Sequence, residues 1–442
     1  MNARAALMAG ATSLVASLGC DGDSPPSVSL PASVSPALEQ RYLTDASFRR
    51  GELLASLDGV DDQYADLRRA HYASADGQDW DQLPEWNPAV SPLAMTDFAA
   101  GARASADAVT GPFTALAIAD DATLVSDQQA LRALGEAAFF SYPVQLLPAS
   151  LALGAGDLAG YGLWIDDQRG VGGLVGARMA DGSTRLAYTC ATCHSAAGAD
   201  GQLTVGLGND RLNLGALLAD AAQVPAGDPL AAQWSQALRA WGAGRVDVTT
   251  TTGTLPVRLS DLRPTRWLGY LHYEATVQQR DLISLAIRLE TLIITSHGTA
   301  LRPPRAVTLG LALFLWSLAD DLPSQEPSDA VTAQGQAVLE TNCGRCHAGV
   351  GLTGAPVVVD AVGTDPAAAL DPGRGRGVYR VPALRGVGRR ATLLHDGSIR
   401  GLDAFFDPAR VAGTGPVAGG HPFGLDLDPA ARASLIAYLR GL

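Results

Sequence analysis

The chain of 442 residues contains no lysine; all 32 of its basic side chains are arginine, set against 45 aspartates and glutamates for a formal charge of −13. That absence removes Schiff-base chemistry and the lysine of a phosphate-binding P-loop, and the acidic balance removes a basic footprint for DNA or RNA. Cysteine and methionine are scarce, at five and four residues. A small disulfide-stapled fold is excluded by length, since this chain can bury ordinary cores across two or three domains. Long apolar runs are missing from the interior. The longest, Ala306 to Ala319 (AVTLGLALFLWSLA), falls short of the roughly 20 residues that span lipid and reads as a buried helix.

At the start of the chain, Arg4 precedes an apolar, small-residue run from Ala5 to Gly19, the pattern of an export signal. Ser17-Leu18-Gly19-Cys20 is similar to a bacterial lipobox, although its leucine stands one position too near the cysteine. The expectation is a signal over residues 1–20 with Cys20 lipidated as an anchor to a membrane; plain cleavage near Gly19 is the alternative. Either outcome exports the chain, to the periplasm or the outer cell envelope. Residues 21–36 (DGDSPPSVSLPASVSP) are rich in Ser, Pro and Asp and read as a flexible spacer.

Beyond the spacer, apolar residues recur at helical spacing from Leu38 to Tyr72 in two segments, the second opening near Asp61-Asp62. A helix is expected from Ser126 to Phe140, capped by Ser126 or Asp127, and the glycine-rich stretch from Gly154 to Gly176 reads as loop. The polar, twice proline-broken stretch Asp320 to Ala330 reads as a linker.

Four of the five cysteines stand in two CxxCH motifs, Cys190-Ala191-Thr192-Cys193-His194 and Cys343-Gly344-Arg345-Cys346-His347. In such a motif the two thiols bind haem vinyl groups and the adjacent histidine takes one axial position of the iron. Two covalently bound c-type haems are therefore expected, with His194 and His347 as proximal ligands. Each motif is followed later by an apolar helix, LALFLWSLADDL and ARASLIAYLRGL. The expected fold is mainly α: two cytochrome c-like haem domains, 126–319 and 331–442, with long irregular loops, joined by the linker 320–330 and preceded by a helical or irregular extension, 37–125.

The sixth iron position separates electron transfer from reaction with small oxidants. Beyond the signal, methionine occurs only at Met95 and Met179, so a His/Met second haem cannot be built from its own domain. Its candidates are His395 and His421; His421, in the loop GGHPFG, is the favoured ligand against a solvated loop histidine. For the first haem, His272 in WLGYLHYEA is a candidate distal ligand or base, or a satisfied core histidine. His297 reads as solvated or helix-capping. An open first haem is the expectation.

These residues resemble the bacterial di-haem cytochrome c peroxidase superfamily, which includes the methylamine-dehydrogenase maturation enzyme and haem-dependent rubber oxygenases. The resemblance spans roughly residues 127 to 442. It is carried by VYRVPALRGVGRRATLLHDGSIRGLDAFF (Val378 to Phe406), by LGEAAFF (Leu134 to Phe140) and by YTCATCHS around the first motif. It implies that Arg385 and His395 border the second haem without ligating its iron. The closing GHPFGLDLDPAARASLIAYLRGL is similar to the oxygenase-like branch, in which a glycine-flanked histidine ligates the second haem, and this favours His421. Where the peroxidases have Trp-Asp-Gly-Arg between the haems, this chain has His272-Tyr273-Glu274-Ala275, with Tyr273 or Trp267 as stand-ins for the electron relay. The distal acid/base glutamate corresponds to Glu290, which on an apolar helix is alternatively a solvent-facing carboxylate. A bound calcium is implied by the family alone.

The implied activity is reduction of hydrogen peroxide or another small oxidant at the first haem, with electrons entering at the second from a small redox protein or a quinone-linked donor. The alternatives are oxidation or oxygenation of an organic or protein substrate, and a non-enzymatic electron relay with both haems six-coordinate.

Overall fold

The computed structural model describes residues 30, 33–58, 74–75, 78–98, 103–149, 151–198, 200–221, 228–247, 255–297, 300–372, 375–411 and 417–442. The expected export signal with Cys20, most of the spacer and the helical segment opening near Asp61-Asp62 lie outside the described residues. The longer described helices are α1 (Pro36–Thr44), α2 (Ala46–Asp58), α3 (Gln128–Ser141), α4 (Leu214–Ala221), α5 (Pro229–Ala240), α6 (Leu282–His297), α7 (Arg305–Ser317), α8 (Ala330–Asn342) and α9 (Pro429–Gly441). None is long and apolar enough to cross a membrane.

Local chemistry sets their starts. Asp127 accepts from the N–H groups of Gln129 and Ala130 to open α3, and Asp428 from those of Ala430 and Ala431 to open α9. Asp329 accepts from Thr332 ahead of α8. Each satisfies donors that a helix leaves unpaired in its first turn.

Two crossed helix pairs organise the chain, α3 against α7 and α8 against α9. A glycine lies at each crossing: a Cβ on Gly135 would run into the Gly310 carbonyl, and one on Gly335 into the Ser434 carbonyl. Backbone therefore touches backbone where side chains would hold the helices apart. Replacing Gly135 with valine is expected to destabilise the fold by about 3 kcal/mol, because a carbonyl cannot move aside as a side-chain end can. Denaturant unfolding followed by circular dichroism checks this; an unchanged midpoint would contradict the crossing.

The expected mainly-α class with two cytochrome c-like domains is corrected by the structure. Helix takes 43% and strand 14%, and the described strands form nine antiparallel sheets, eight of them two-stranded. The larger sheet combines β1 (Val90–Pro92), β2 (Gln145–Leu146), β3 (Leu174–Arg178) and β4 (Thr184–Tyr188) in the order β1-β3-β4-β2. It is strand β4, not a helix, that leads into the first CxxCH, whereas α8 leads into the second. The stretch from Gly154 to Gly176, expected as loop, contains the hairpin Ile165–Asp166/Gly170–Val171 and the start of β3. Strands of two residues are too short to show a period of two, so their glycine turns read as loop.

The extension does not stand apart from the first unit. Tyr42, Leu53 and Leu57 of α1 and α2 share one core with Leu131 and Phe139 of α3, Ile283 and Ile287 of α6, and Leu309 and Phe314 of α7. A separate core in the second unit gathers Leu339, Val387, Leu402, Leu435 and Leu439.

An internal repeat emerges that is finer than the two motifs. Tyr270–Leu271 pairs with Val277–Gln278, and Thr392–Leu393 pairs with Ile399–Arg400 in the same register, an offset of 392 − 270 = 122 residues. The positive-φ positions also coincide: His272 (61°) and Ala275 (54°) in one hairpin, Leu394 (69°) and Gly397 (67°) in the other. Short 3-10 turns ahead of the hairpins, Thr265–Trp267 and Val387–Arg389, keep the offset, 387 − 265 = 122.

Candidate haem sites

Strand β4 delivers Thr189 into a short helical turn, Cys190–Cys193, which is anchored by its neighbours. The hydroxyls of Thr189 and Thr192 donate to the Gly173 carbonyl at 2.9 and 3.0 Å, and the Trp164 indole donates to the Ala191 carbonyl at 3.2 Å. None of the four motif cysteines forms a disulfide. Burial pushes Cys190 and Cys193 up to about 12 and Cys343 up to about 11. A CxxC pair working in thiol redox chemistry needs a lowered thiol pKa, so these are neutral thiols suited to attachment and not to exchange.

Both motif histidines are oriented alike. His194 Nδ1 meets the Ser260 carbonyl at 2.9 Å, and His347 Nδ1 meets the Leu352 carbonyl at 3.0 Å with the Pro382 carbonyl beside it. A backbone acceptor on Nδ1 fixes the tautomer and leaves Nε2 as the nitrogen for a metal, the usual support of a ligating imidazole. Ser260 and Pro382 are repeat equivalents, 382 − 260 = 122. The two carbonyls had no sequence signal of their own; the shared Leu-Arg pairs beside them, Leu262-Arg263 and Leu384-Arg385, would have marked the repeat.

His421 meets the requirements of a second ligand at the second site. Its backbone lies in the left-handed region at φ 51°, a conformation that costs an L-residue roughly 1–2 kcal/mol and concentrates at functional positions. The N–H donates to the Val362 carbonyl at 2.6 Å. Phe405 and Phe423 flank the ring with centroids at 5.0 and 5.2 Å, and Nδ1 is buried without a partner. Burial first, and then the nearby His347, bring its pKa down to about 3, so the imidazole is neutral and able to bind a metal. Arg410, which sequence reasoning missed, pins this loop by donating to the carbonyls of Phe405, Ala418 and Gly420.

The candidates of the first unit stand differently. His272 is engaged at both ring nitrogens, Nδ1 with the Thr276 hydroxyl at 2.5 Å and Nε2 accepting from Arg288 Nε at 3.0 Å. Of the two readings of His297, solvated or helix-capping, burial removes the first: it is the last residue of α6 and buried, with Nε2 donating to the Pro143 carbonyl at 2.5 Å and its ring between Tyr142 and Trp86. Met95 is 43% exposed. Met179 sits in the β3–β4 turn, with the five residues of β4 (about 17 Å of strand) between that turn and Thr189.

Glu290 does not face solvent. Its side chain is fully buried, accepting from the Tyr42 hydroxyl at 3.0 Å and pairing with Arg305 Nε at 3.5 Å. Arg305 continues to Asp81 at 2.9 Å, and Asp81 to Arg49 at 2.6 Å. Its contacts among the described residues are with the N-terminal extension and α7, and none is with His194 or His272, so the implied distal acid/base role finds no geometric support. Burial raises its pKa to about 7 against the offsetting pull of Arg305 and Tyr42. A carboxyl raised on folding contributes stability that is complete below its unfolded value near 4.5 and declines as pH rises toward 7. Glu290→Gln is therefore expected to become more stable than the native chain between those limits, by at most about 3 kcal/mol at pH 7. Thermal unfolding of both proteins across that range checks the sign.

His395 stacks on Tyr379 with centroids 4.3 Å apart, and its nitrogens face the Tyr379 hydroxyl at 3.1 Å and the Thr364 hydroxyl at 3.4 Å. Arg385 donates to the Pro323 carbonyl at 2.6 Å and lies over the Trp267 ring at 4.6 Å. Trp267 in turn abuts Gly351 in the loop after His347. Tyr273 is buried among Tyr379, Val359 and Ala369. Both relay candidates thus lie where the two units meet. So does Asp261, next to Ser260, which binds Arg263 at 2.8 Å and Arg390 of the second unit at 3.0 Å. No cluster of three or more His, Cys, Asp or Glu suited to a metal ion occurs among the described residues.

No family model, curated protein or solved structure matches the chain. Its function is accordingly read from the residues themselves.

Proposed function

We propose that the chain is an exported di-haem c-type cytochrome working as a peroxidase-type oxidoreductase, taking electrons at the second site and reducing hydrogen peroxide or a similar small oxidant at the first. The observation that supports this reading most is the inequality of the sites: His347 has His421 beside it, while in the first unit His272 is engaged at both ring nitrogens and the His297 ring is wedged between Tyr142 and Trp86. Haems held by the four thiols would supply one-electron redox chemistry and reaction with small oxidants.

The chain's own residues divide the work. Ser260 and Leu352 fix the proximal rings through Nδ1. Phe405, Phe423 and Arg410 hold His421 and exclude water from it. His272 carries its proton at Nδ1, since Nε2 accepts from Arg288; it takes up a second proton at Nε2 only when that guanidinium moves. Trp267 and Tyr273, at the junction of the units, are the side chains placed to shorten an electron path between them. A small redox protein or a quinone-linked donor would supply the electrons, and lipidation at Cys20 would hold the molecule at the envelope membrane.

The relay reading requires a further ligand at the first site. His297 is the histidine that offers a bare nitrogen, a buried Nδ1 without a partner, but its ring is wedged between Tyr142 and Trp86. Steady-state peroxide consumption with a reduced small cytochrome as donor tests the proposal. Saturable turnover is expected; two low-spin haems and no turnover would establish the relay, and a high-spin haem without turnover would favour oxidation of another substrate.

A further inference from the structure

The 122-residue repeat makes the junction of the units reciprocal. Arg380 of the second unit donates its backbone N–H to the Tyr273 carbonyl at 2.7 Å and its Nε to the His272 carbonyl at 3.1 Å. Arg258 of the first unit donates its N–H to the His395 carbonyl at 2.7 Å and its Nε to the Leu394 carbonyl at 3.2 Å. The donors are equivalent (380 − 258 = 122), and so are the acceptors (394 − 272 and 395 − 273). Each unit's arginine clasps the other unit's hairpin, as two subunits would across a pseudo-twofold axis.

The clasp uses only part of each guanidinium. Both lie beside the Tyr273 ring, at 5.8 and 5.6 Å from its centroid, and among the described residues neither forms an ion pair or donates from its terminal nitrogens. Arg390 adds a third positive charge nearby but is bound to Asp261. Glu274 contributes its field to Arg380 without an ion pair to it. Burial and these like charges bring Arg380 down to about 10. The Tyr273 hydroxyl is buried without a partner. Partly desolvated guanidiniums with no ion-pair partner among the described residues, beside a buried hydroxyl with no acceptor, are costly unless an anion completes them. A carboxylate suits the planar fork, which binds it with two parallel hydrogen bonds.

We propose that Arg258, Arg380 and the Tyr273 hydroxyl form a carboxylate-binding site at the junction of the two units, and that it receives propionate arms of the haems attached at the CxxCH motifs. This rests on the di-haem reading. It adds that each unit helps hold the prosthetic group of its neighbour and that the arginines raise the reduction potential there, since a cation favours the more negative, reduced state.

The test uses the whole haem-loaded protein and its Arg380→Gln, Arg380→Lys and Tyr273→Phe variants, with redox titration followed by absorbance and resonance Raman of the propionate bending modes. Arg380→Gln is expected to lower one haem's midpoint by about 59 mV, a tenfold change in a one-electron equilibrium, and to shift a propionate band. Arg380→Lys keeps the charge and loses the fork, so its band shifts while most of the potential is retained; this arm decides the matter should the glutamine variant not fold. Tyr273→Phe shifts the band alone. Potentials and bands unmoved in variants that carry two haems would overturn the site. A native potential that responds to added inorganic phosphate, with the response lost in Arg380→Gln, would overturn the propionate assignment in favour of a free anion. A native protein without covalent haem would refute the di-haem reading itself.

Discussion

Replacing His421 with alanine is expected to leave His347 as the protein ligand of the second haem, turning that haem high-spin and opening it to cyanide and, when reduced, to carbon monoxide. The expectation follows from how the ring is presented. His421 lies in a strained left-handed conformation, beside His347 and between two phenylalanines, with its pKa held down to about 3. No described contact of its Nδ1 offsets the burial of that atom. A histidine serving the fold alone would have found a hydrogen bond, since buried polar groups nearly always do. The substitution leaves the left-handed backbone strain as it is and removes an unpaired polar atom, which offsets part of the packing lost with the ring. Electron entry should suffer instead, with donor-driven peroxide turnover falling at least tenfold, about 1.4 kcal/mol of barrier. Absorption spectra before and after cyanide measure the first effect and turnover the second. An unchanged low-spin spectrum would remove His421 from the ligand set.

Replacing Asp261 with alanine carries the other large effect. Burial alone would push this carboxyl up, but Arg390 and Arg263 more than offset it and hold it below the ordinary carboxylate range. The three side chains are buried, and Arg390 also donates to the carbonyls of Ala383 and Arg385 at 2.8 Å each. Removing the shared carboxylate leaves two desolvated guanidiniums facing each other, a loss of about 3–5 kcal/mol. The sign with pH follows from the lowered pKa: the stabilisation is present above the unfolded value near 3.8 and is lost as pH falls through the folded one. Because Asp261 follows the residue whose carbonyl holds His194, and Arg390 comes from the second unit, the variant should also uncouple the units. Two unfolding transitions are expected in denaturant where the native protein shows one. A single transition at the native midpoint would show that the ion pair does not join them.

What the sequence made legible, and what it hid, divides by range. The CxxCH motifs, the capping aspartate ahead of α3 and the loop around His421 are local patterns, readable within a dozen residues. Glu290 illustrates the opposite case. Its partner Tyr42 is 248 residues away, so nothing nearby distinguishes a solvent-facing carboxylate, a catalytic acid and the buried member of a charge network. His272 likewise owes its commitment to Arg288, across a turn that no spacing rule predicts. The hairpins were missed because two-residue strands leave no alternation to read, and helix therefore dominated the expected fold. The 122-residue repeat was hidden behind the larger separation of the motifs, 343 − 190 = 153 residues, since the loops following them differ in length. Arg258 and Arg380 acquire meaning only once the two hairpins are superposed by their register.

The central claim is that the two iron sites are unequal, one closed by His421 and one open opposite His194. Low-temperature electron paramagnetic resonance of the oxidised protein, with spins counted against total haem, tests it most directly. One low-spin bis-histidine haem and one high-spin haem in equal amounts are predicted; two low-spin haems, or two high-spin haems, would contradict it.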